Sequence, residues 1–377
     1  MKVKQSQGLG CWLKFEFKTE MTNPDKKWHE IHARNLKKRE STRPERLRRR
    51  RLGLEIRRNK SAERVHMKVP KLLDFYKNYD ESIQFINNIN TNVFEHDSFV
   101  FLDFSQCEGI SAEACVVLAA EIDRCNRMDK HSVFGVYPNH PDVYFLLNEL
   151  GFYQLLGIHS SKPQFDDASE VDVVKLQSGQ DNPRNLMVGI KELFYQPGQD
   201  VPKTPFAGKV YRAFTEAMAN AVEHAYPQEF LDKHSETCLP IWWRAGFKDN
   251  ETNTVFMVLY DQGAGIPNTL ATNWLEKLDA LASSLARNPY DDEKIVLAME
   301  KGRTRTKVLG RGQGSYDMQQ LIRESEDAEL SIFSCRGKYM YANDGSWQHE
   351  NLSLSIKGTL VVWKICLNSV KEKTHEN

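Results

Sequence analysis

The sequence predicts an α/β protein built as two folded units, and three observations lead there. The run SFVFLDFS from Ser98 is short, β-branched and aromatic, as suits a buried strand, and SAEACVVLAAEIDRCN behind it has the period of a helix. Further on, the helical stretch FTEAMANAVEHAYP precedes the apolar run TVFMVLY, so a second alternation of helix and strand begins. The length of 377 residues is enough for two domains, each with its own core.

Residues 1–65 form a basic N-terminal extension. Within it, residues 23–60 carry 15 Lys/Arg against 5 Asp/Glu, a net of +10, although the whole chain carries 51 charges of each sign. Pro44 breaks any helix running through this segment, and Arg48 to Arg51 repel one another unless an anion is near. Nucleic-acid phosphate and an acidic protein surface both fit, because a basic tract reports charge and not ligand. The seven cysteines are scattered without a CxxC pair, no signal peptide precedes them, and no apolar run approaches the ~20 residues that cross a bilayer. The expectation is a cytoplasmic protein with reduced thiols and no membrane segment.

Residues 66–160 make the first unit. After SFVFLDFS and its helix comes a second strand, SVFGVY; Pro138 and Pro141 punctuate the chain, and DVYFLLNELGFYQLL supplies a further helix with a break at Gly151. Strand, helix, strand and helix at short spacing imply a sheet that is at least partly parallel. The segment LDFSQCEGISAEACVVL resembles the STAS domain, the fold of anti-anti-sigma factors, in which a strand ending in aspartate runs into a helix through a phosphorylatable serine. Here that serine position falls at Ala112 or Glu113, with Ser111 one or two residues early. The resemblance therefore implies docking to a protein in place of phosphorylation-controlled switching. Residues 161–181, polar and with little periodicity, read as a linker.

The second unit spans residues 182–370. In FTEAMANAVEHAYP, Glu216, Asn220 and His224 fall at i, i+4 and i+8, so a helix stacks them on one slowly drifting stripe opposite Phe214, Met218 and Val222. The stripe either faces water or converges on a ligand. Three further elements follow. TVFMVLYDQGAGIP is a strand that ends in Asp261 and turns through Gly263 and Gly265. TRTKVLGRGQGSYDMQQLI places Gly310, Gly312 and Gly314 ahead of a helix, and Gly358 and Thr359 open the strand TLVVWKICL.

In that order the four elements resemble the N box, the two glycine boxes and the closing Gly-Thr of the GHKL or Bergerat-fold ATPases, the superfamily of gyrase, histidine kinases and MutL. The match covers about residues 182–367. It implies a two-layer α/β sandwich, helices on one face of a mixed sheet, with nucleotide held between the helices and a mobile lid. WWRAGF, TVFMVLY, AELSIFS, KYMYA and TLVVWKICL are then the candidate strands. Two features depart from the pattern: GRGQGS lacks the leucine common after the last glycine, and PQEFLDKHSETCLP is inserted ahead of the Asp261 strand.

The resemblance implies ATP and Mg2+ as cofactors and assigns each residue a role that its chemistry explains. Magnesium takes few protein oxygens, so the Asn220 side chain suffices to seat it beside a triphosphate. Glu216, one turn earlier, is the candidate general base. Asp261 is an acceptor that suits the exocyclic amine of adenine, and Thr359 reaches the base through water. Gly263 and Gly265 let the backbone approach the base closely. Gly310, Gly312 and Gly314 allow backbone N–H groups to face phosphate, with Arg311 beside them and Arg303, Arg305 and Lys307 adding positive charge. His224 either orders Glu216 or makes a structural hydrogen bond.

A sensor histidine kinase needs a phosphoacceptor histidine on a dimerising hairpin, and neither His29 nor His32 has that setting. Topoisomerase and mismatch-repair members carry a transducer domain, whereas here about ten residues follow the last strand. The expected function is a slow, magnesium-dependent ATPase that acts as a nucleotide-controlled switch on a partner protein. A serine kinase of the anti-sigma type and a non-hydrolysing nucleotide-binding scaffold are the alternatives. A homodimer is compatible with this reading, and the architecture suits a bacterial regulatory or antiviral defence module.

Overall fold

The computed structural model describes residues 64–129, 131–158, 171–181, 189–194, 205–235, 237–270, 275–300 and 314–370, together with 163 and 165. The basic segment 23–60 and the residues Gly310, Arg311 and Gly312 lie outside them, as do Arg303, Arg305 and Lys307. The first series of elements is β1 (Arg64–Lys68), β2 (Leu72–Leu73), α1 (Tyr79–Asn90), β3 (Phe99–Asp103), β4 (Gly109–Ile110), α2 (Ala112–Met128), β5 (Val133–Gly135), α3 (Pro141–Leu150) and α4 (Phe152–Leu155). The second is β6 (Val171–Gly179), α5 (Pro205–Glu223), α6 (Gln228–His234), β7 (Trp242–Asp249), β8 (Thr254–Asp261), α7 (Ile266–Thr269), α8 (Leu275–Leu285), α9 (Asp291–Glu300), α10 (Gly314–Ile322), β9 (Ala328–Ala342) and β10 (Trp347–Cys366).

In the first series β3, α2, β5 and α3 come in the expected order, whereas β1, β2, α1 and β4 were not expected, and β1 begins at Arg64, inside the stretch read as the basic extension. Strands β1, β3 and β5 lie side by side in that order, all parallel. Gly151 separates α3 from α4 with φ of 85°, a left-handed conformation that glycine adopts without a Cβ penalty.

A five-stranded sheet dominates the second series, in the order β6-β7-β8-β10-β9. Every neighbouring pair is antiparallel, which corrects the expectation of a mixed sheet. Hairpins are the reason: β7–β8 and β9–β10 are each joined by short turns. In the first, the Asp249 carboxylate accepts the backbone N–H groups of Glu251 and Thr252 at 2.9 and 3.1 Å, and Asn253 takes φ of 50°. AELSIFS and KYMYA, expected as two strands, are one continuous strand, β9, with Cys335 at φ 54° between them.

The linker at 161–181 is also corrected. Val171–Gly179 is the edge strand β6, paired with β7 from Val171↔Asp249 to Gly179↔Trp242. A bulge between Val174 and Gln177 interrupts its alternation, so Val171, Val173 and Leu176 share one core while Val174 packs on the other side. That interruption hides the period of two in the sequence.

Alternation along the central strands sorts their side chains into two cores. Trp242, Met257, Leu259, Val361 and Trp363 face α5, where Phe214 and Met218 meet them. Trp243, Phe247, Val258, Tyr260 and Val362 face the opposite way. There they meet the first series: α1 and α2 lie on that face, so the expected two-layer sandwich accounts for one side of the sheet only. Phe75 and Tyr79 pack round Phe333 with ring centroids 6.0 Å away, and the Tyr79 hydroxyl donates to the Leu354 carbonyl at 3.1 Å. Helix α2 is held between this sheet and the parallel one, which is why every residue from Glu113 to Cys125 is buried, charged ones included. Among the described residues no helix is long and apolar enough to cross a membrane.

Candidate functional site

Helix α5 presents a core stripe of Val210, Ala213, Phe214, Ala217, Met218 and Ala221. The other side is left open: Glu216 is half-buried, while Asn220, Glu223 and His224 are exposed. The drifting stripe expected from the sequence is therefore present and faces away from the core. Helix α10 packs along α5, and Gly314 is its first residue. Asp317 in its first turn sits 3.8 Å from Arg212, and the Lys209–Glu324 ion pair ties α5 to the turn that follows α10. Burial pushes the Glu216 carboxyl above the usual range, and the negative charges of Asp317 and Glu223 add to the rise. A carboxylate tuned upward in this way is a better proton acceptor near neutral pH than an ordinary surface glutamate.

Past the end of α5 the chain turns back against the end of β8. The Ala225 carbonyl accepts the N–H of Ala264 at 2.8 Å, and a Cβ on Gly263 would lie 2.6 Å from the Ala225 carbonyl carbon, so only glycine fits there. The Tyr226 hydroxyl donates to the Ile241 carbonyl at 2.6 Å and accepts the N–H of Gln262 at 3.0 Å. These contacts dock the turn after Asp261 onto the helix that carries Glu216 and Asn220.

Asp261 itself is 6 % exposed. Burial pushes its carboxyl up to about 7, against the backbone N–H groups of Gly263 and Thr359, which favour the ionised form. The Gly263 N–H donates to Oδ1 at 2.9 Å. On the neighbouring strand, Thr359 pairs with Asp261. Immediately before it, Lys357 and Gly358 bulge out of β10, because Ile356 pairs with Cys335 and Thr359 with the adjacent Ser334. Gly358 takes φ of 66°.

The Ser334 hydroxyl joins these turns. It donates to the Gly358 carbonyl at 2.9 Å, accepts the N–H of Ile266 at 2.9 Å, and lies 3.0 Å from the Thr359 hydroxyl. Its single proton goes to Gly358, so Thr359 must donate to Ser334, and the lone pairs of Thr359 Oγ1 stay available as acceptors. Gly265, at φ 83°, fits the same corner: a Cβ there would lie 2.6 Å from Cys335 Sγ and 3.0 Å from Ser334 Oγ.

Asp261, Gly263, Gly265 and Thr359 thus form one cluster, with Gly358 between them. Glu216 and Asn220 stand on the open side of the adjoining helix. His224 lies at the end of that helix, its N–H bonded to the Asn220 carbonyl at 3.0 Å. Gly310, Arg311 and Gly312 fall outside the described residues.

Several contributors carry no signal in the sequence. Ser334 and Tyr226 belong to no pattern that the sequence singles out, and only the fold shows what they tie. Behind Asp261, on the α2 side of the sheet, Glu121 forms the centre of a buried polar group. It accepts from Gln262 Nε2 at 2.8 Å and from Arg124 at 2.5 Å, and Lys357 Nζ is 3.6 Å away. Burial alone would raise the Glu121 carboxyl, but Arg124 and Lys357 outweigh it and hold the group below the usual range. Burial pushes the Lys357 ammonium down to about 8. Arg124 also donates to the Thr237 carbonyl, in the inserted segment, and to Asn90 Oδ1 at 2.9 Å, with its guanidinium 4.7 Å from the Phe94 ring.

No protein-family model matches the chain, and no curated protein matches it.

Proposed function

We propose that the chain is a magnesium-dependent ATP-binding protein of the GHKL type, with a STAS-like unit at its N-terminal side, that hydrolyses ATP slowly and signals its nucleotide state to a partner protein. The observation that supports this best is Asp261, a buried carboxylate at a strand end, framed by the Gly263, Gly265 and Gly358 turns. The glycines let these turns close on one another round the carboxylate, and an ionised carboxylate can only accept, which selects an exocyclic amine over a carbonyl. The acceptor lone pairs of Thr359 suit a bridging water at the same edge.

The residues of α5 fit the phosphate end. Asn220 is exposed on the open side of the helix and would hold magnesium, which when bound supplies charge neutralisation to the phosphates. Glu216, one turn back, takes the proton from the attacking water, a role helped by its raised pKa. Gly314 begins the helix that packs along α5, and the resemblance assigns Gly310, Arg311 and Gly312, which precede it in the chain, to the phosphates.

The test uses γ-labelled ATP and magnesium with the parent protein and Glu216→Ala, resolving free phosphate from labelled protein. Free phosphate from the parent, lost in the variant, supports the hydrolase. Label on the protein would replace it with a serine kinase, and no binding of ATP by the parent would sink the nucleotide reading.

A further inference from the structure

Two turns frame Asp261, one running through Gln262 and Gly263 and the other through Lys357 and Gly358. A single carboxylate holds both from behind. Glu121, 1 % exposed on α2, accepts from the Gln262 amide at 2.8 Å and faces the Lys357 ammonium at 3.6 Å. Neither approach is accidental in backbone terms. Asp261 and Gln262 are consecutive residues at a strand end, so when Asp261 faces α5 its neighbour must face α2. The two-residue bulge of β10 rotates Lys357 to the α2 side, where the regular alternation would have placed it on the other face.

Glu121 is itself locked. Arg124, three residues on, bonds it through both Nη2 and Nε, at 2.5 and 3.3 Å, and Arg124 is anchored in turn to Asn90 of α1 and the carbonyl of Thr237. The adjacent Asp123 accepts from the indole N–H of Trp243 at 2.8 Å, a second polar tie between α2 and the sheet. Buried ion pairs of this kind add little net stability but fix geometry, since each partner is costly to leave alone.

We propose that Glu121 is a positioning residue for Asp261: it straps the two turns that frame the carboxylate, so the first unit sets the shape of the candidate base site through α2. A partner that shifts α2 releases both straps together. Conversely, a ligand that orders the two turns favours the docked position of α2, as linkage between two sites requires. The functional consequence rests on the nucleotide reading of Asp261; the strap itself does not.

Glu121→Gln is the obvious variant, but it leaves Arg124 and Lys357 without their counter-charge and is prone to misfold. Gln262→Met and Lys357→Met are the better probes, because each removes one strap and keeps the Glu121–Arg124 pair. Amide hydrogen exchange is measured without nucleotide at Gly263 and Thr359, whose N–H groups support the Asp261 carboxylate, and at the distant Tyr339–His349 rung of the β9–β10 hairpin. Each Met variant is expected to speed exchange at Gly263 and Thr359 by about tenfold, with the hairpin rung unchanged and Lys357→Arg close to the parent. Rates at the two amides within about twofold of the parent in both Met variants would overturn the proposal. So would Lys357→Arg behaving like Lys357→Met. Titration with ATP then separates the two readings: weaker ATP binding in the Met variants at unchanged turnover extends the strap to the ligand. A parent that does not bind ATP counts against the proposed function alone, and the exchange result stands.

Discussion

Gly358 and Asp261 touch so closely that a Cβ on the glycine would collide with the aspartate carbonyl oxygen and lie 2.7 Å from its Oδ1. At φ 66° the position is also strained for any residue with a side chain. Gly358→Ala is therefore expected to displace Asp261 and to destabilise the chain by about 2 kcal/mol or more. Urea denaturation measures the loss; a midpoint equal to the parent's would show that the bulge yields without cost.

The buried Asp261 carboxyl predicts a pH dependence whose sign follows from its raised pKa. Between the ordinary value of 3.8 and about 7 this group is protonated in the folded chain and ionised in the unfolded one. The stability it contributes is thus complete below that window and is lost as pH rises through about 7. Asp261→Asn should remove this part of the slope in unfolding measurements from pH 4 to 8. In the nucleotide reading, the ionised form binds the amine, so ATP affinity should be about tenfold weaker at pH 6 than at pH 8. A flat affinity profile would detach Asp261 from the ligand.

Glu216→Gln keeps the shape of the side chain and removes its basicity. Hydrolysis should fall by at least about a hundredfold while ATP affinity is kept. The acidic limb of the parent's rate profile should lie above the usual glutamate range, because burial, Asp317 and Glu223 all raise the group. Turnover that survives the substitution would remove Glu216 from the chemistry.

Arg124 is 1 % exposed and neutralises Glu121 in a setting closed to water. Arg124→Met should cost about 3–5 kcal/mol, since the buried carboxylate then keeps Lys357 as its counter-charge, beside the neutral Gln262 amide. Chemical denaturation checks this, and an effect below about 1 kcal/mol, as exposed ion pairs give, would mean that water reaches the site.

Removing residues 1–60 deletes the +10 segment. If that arm binds phosphate, the truncated chain should lose salt-sensitive retention on a nucleic-acid column, and equal retention would assign the arm to an acidic protein surface.

Much of the secondary structure was legible because the strands at Trp242, Thr254 and Thr359 are dense in β-branched and aromatic residues, and α5 has a clean stripe of small apolar ones. Asp261, Gly263, Gly265 and Thr359 were brought together in the sequence by the family resemblance and not by any one spacing, and the fold adds the contacts that exclude a Cβ at each glycine. The edge strand β6 was not legible: its bulge breaks the alternation, and an exposed edge tolerates polar residues. The burial of α2 was hidden for a different reason. Glu121, Asp123 and Arg124 give it the composition of a surface helix, and only the sheet on its far side supplies Gln262, Lys357 and Trp243 as their partners. Antiparallel order within the sheet likewise depends on pairings between segments far apart in sequence, which local periodicity does not encode.

The packing of α1 and α2 on the five-stranded sheet bears on how the chain is made. During synthesis, residues 64–158 emerge before the five-stranded sheet, and the surfaces of Phe75 and Tyr79, together with the charges of α2, have their counterparts at Trp243, Phe333 and Leu354, 120 or more residues later. The nascent first unit is therefore left with an open apolar and ionic flank until the last strands leave the ribosome. Its maturation is a late, all-chain event, and premature termination anywhere before β10 would yield a product suited to chaperones and proteases more than to function.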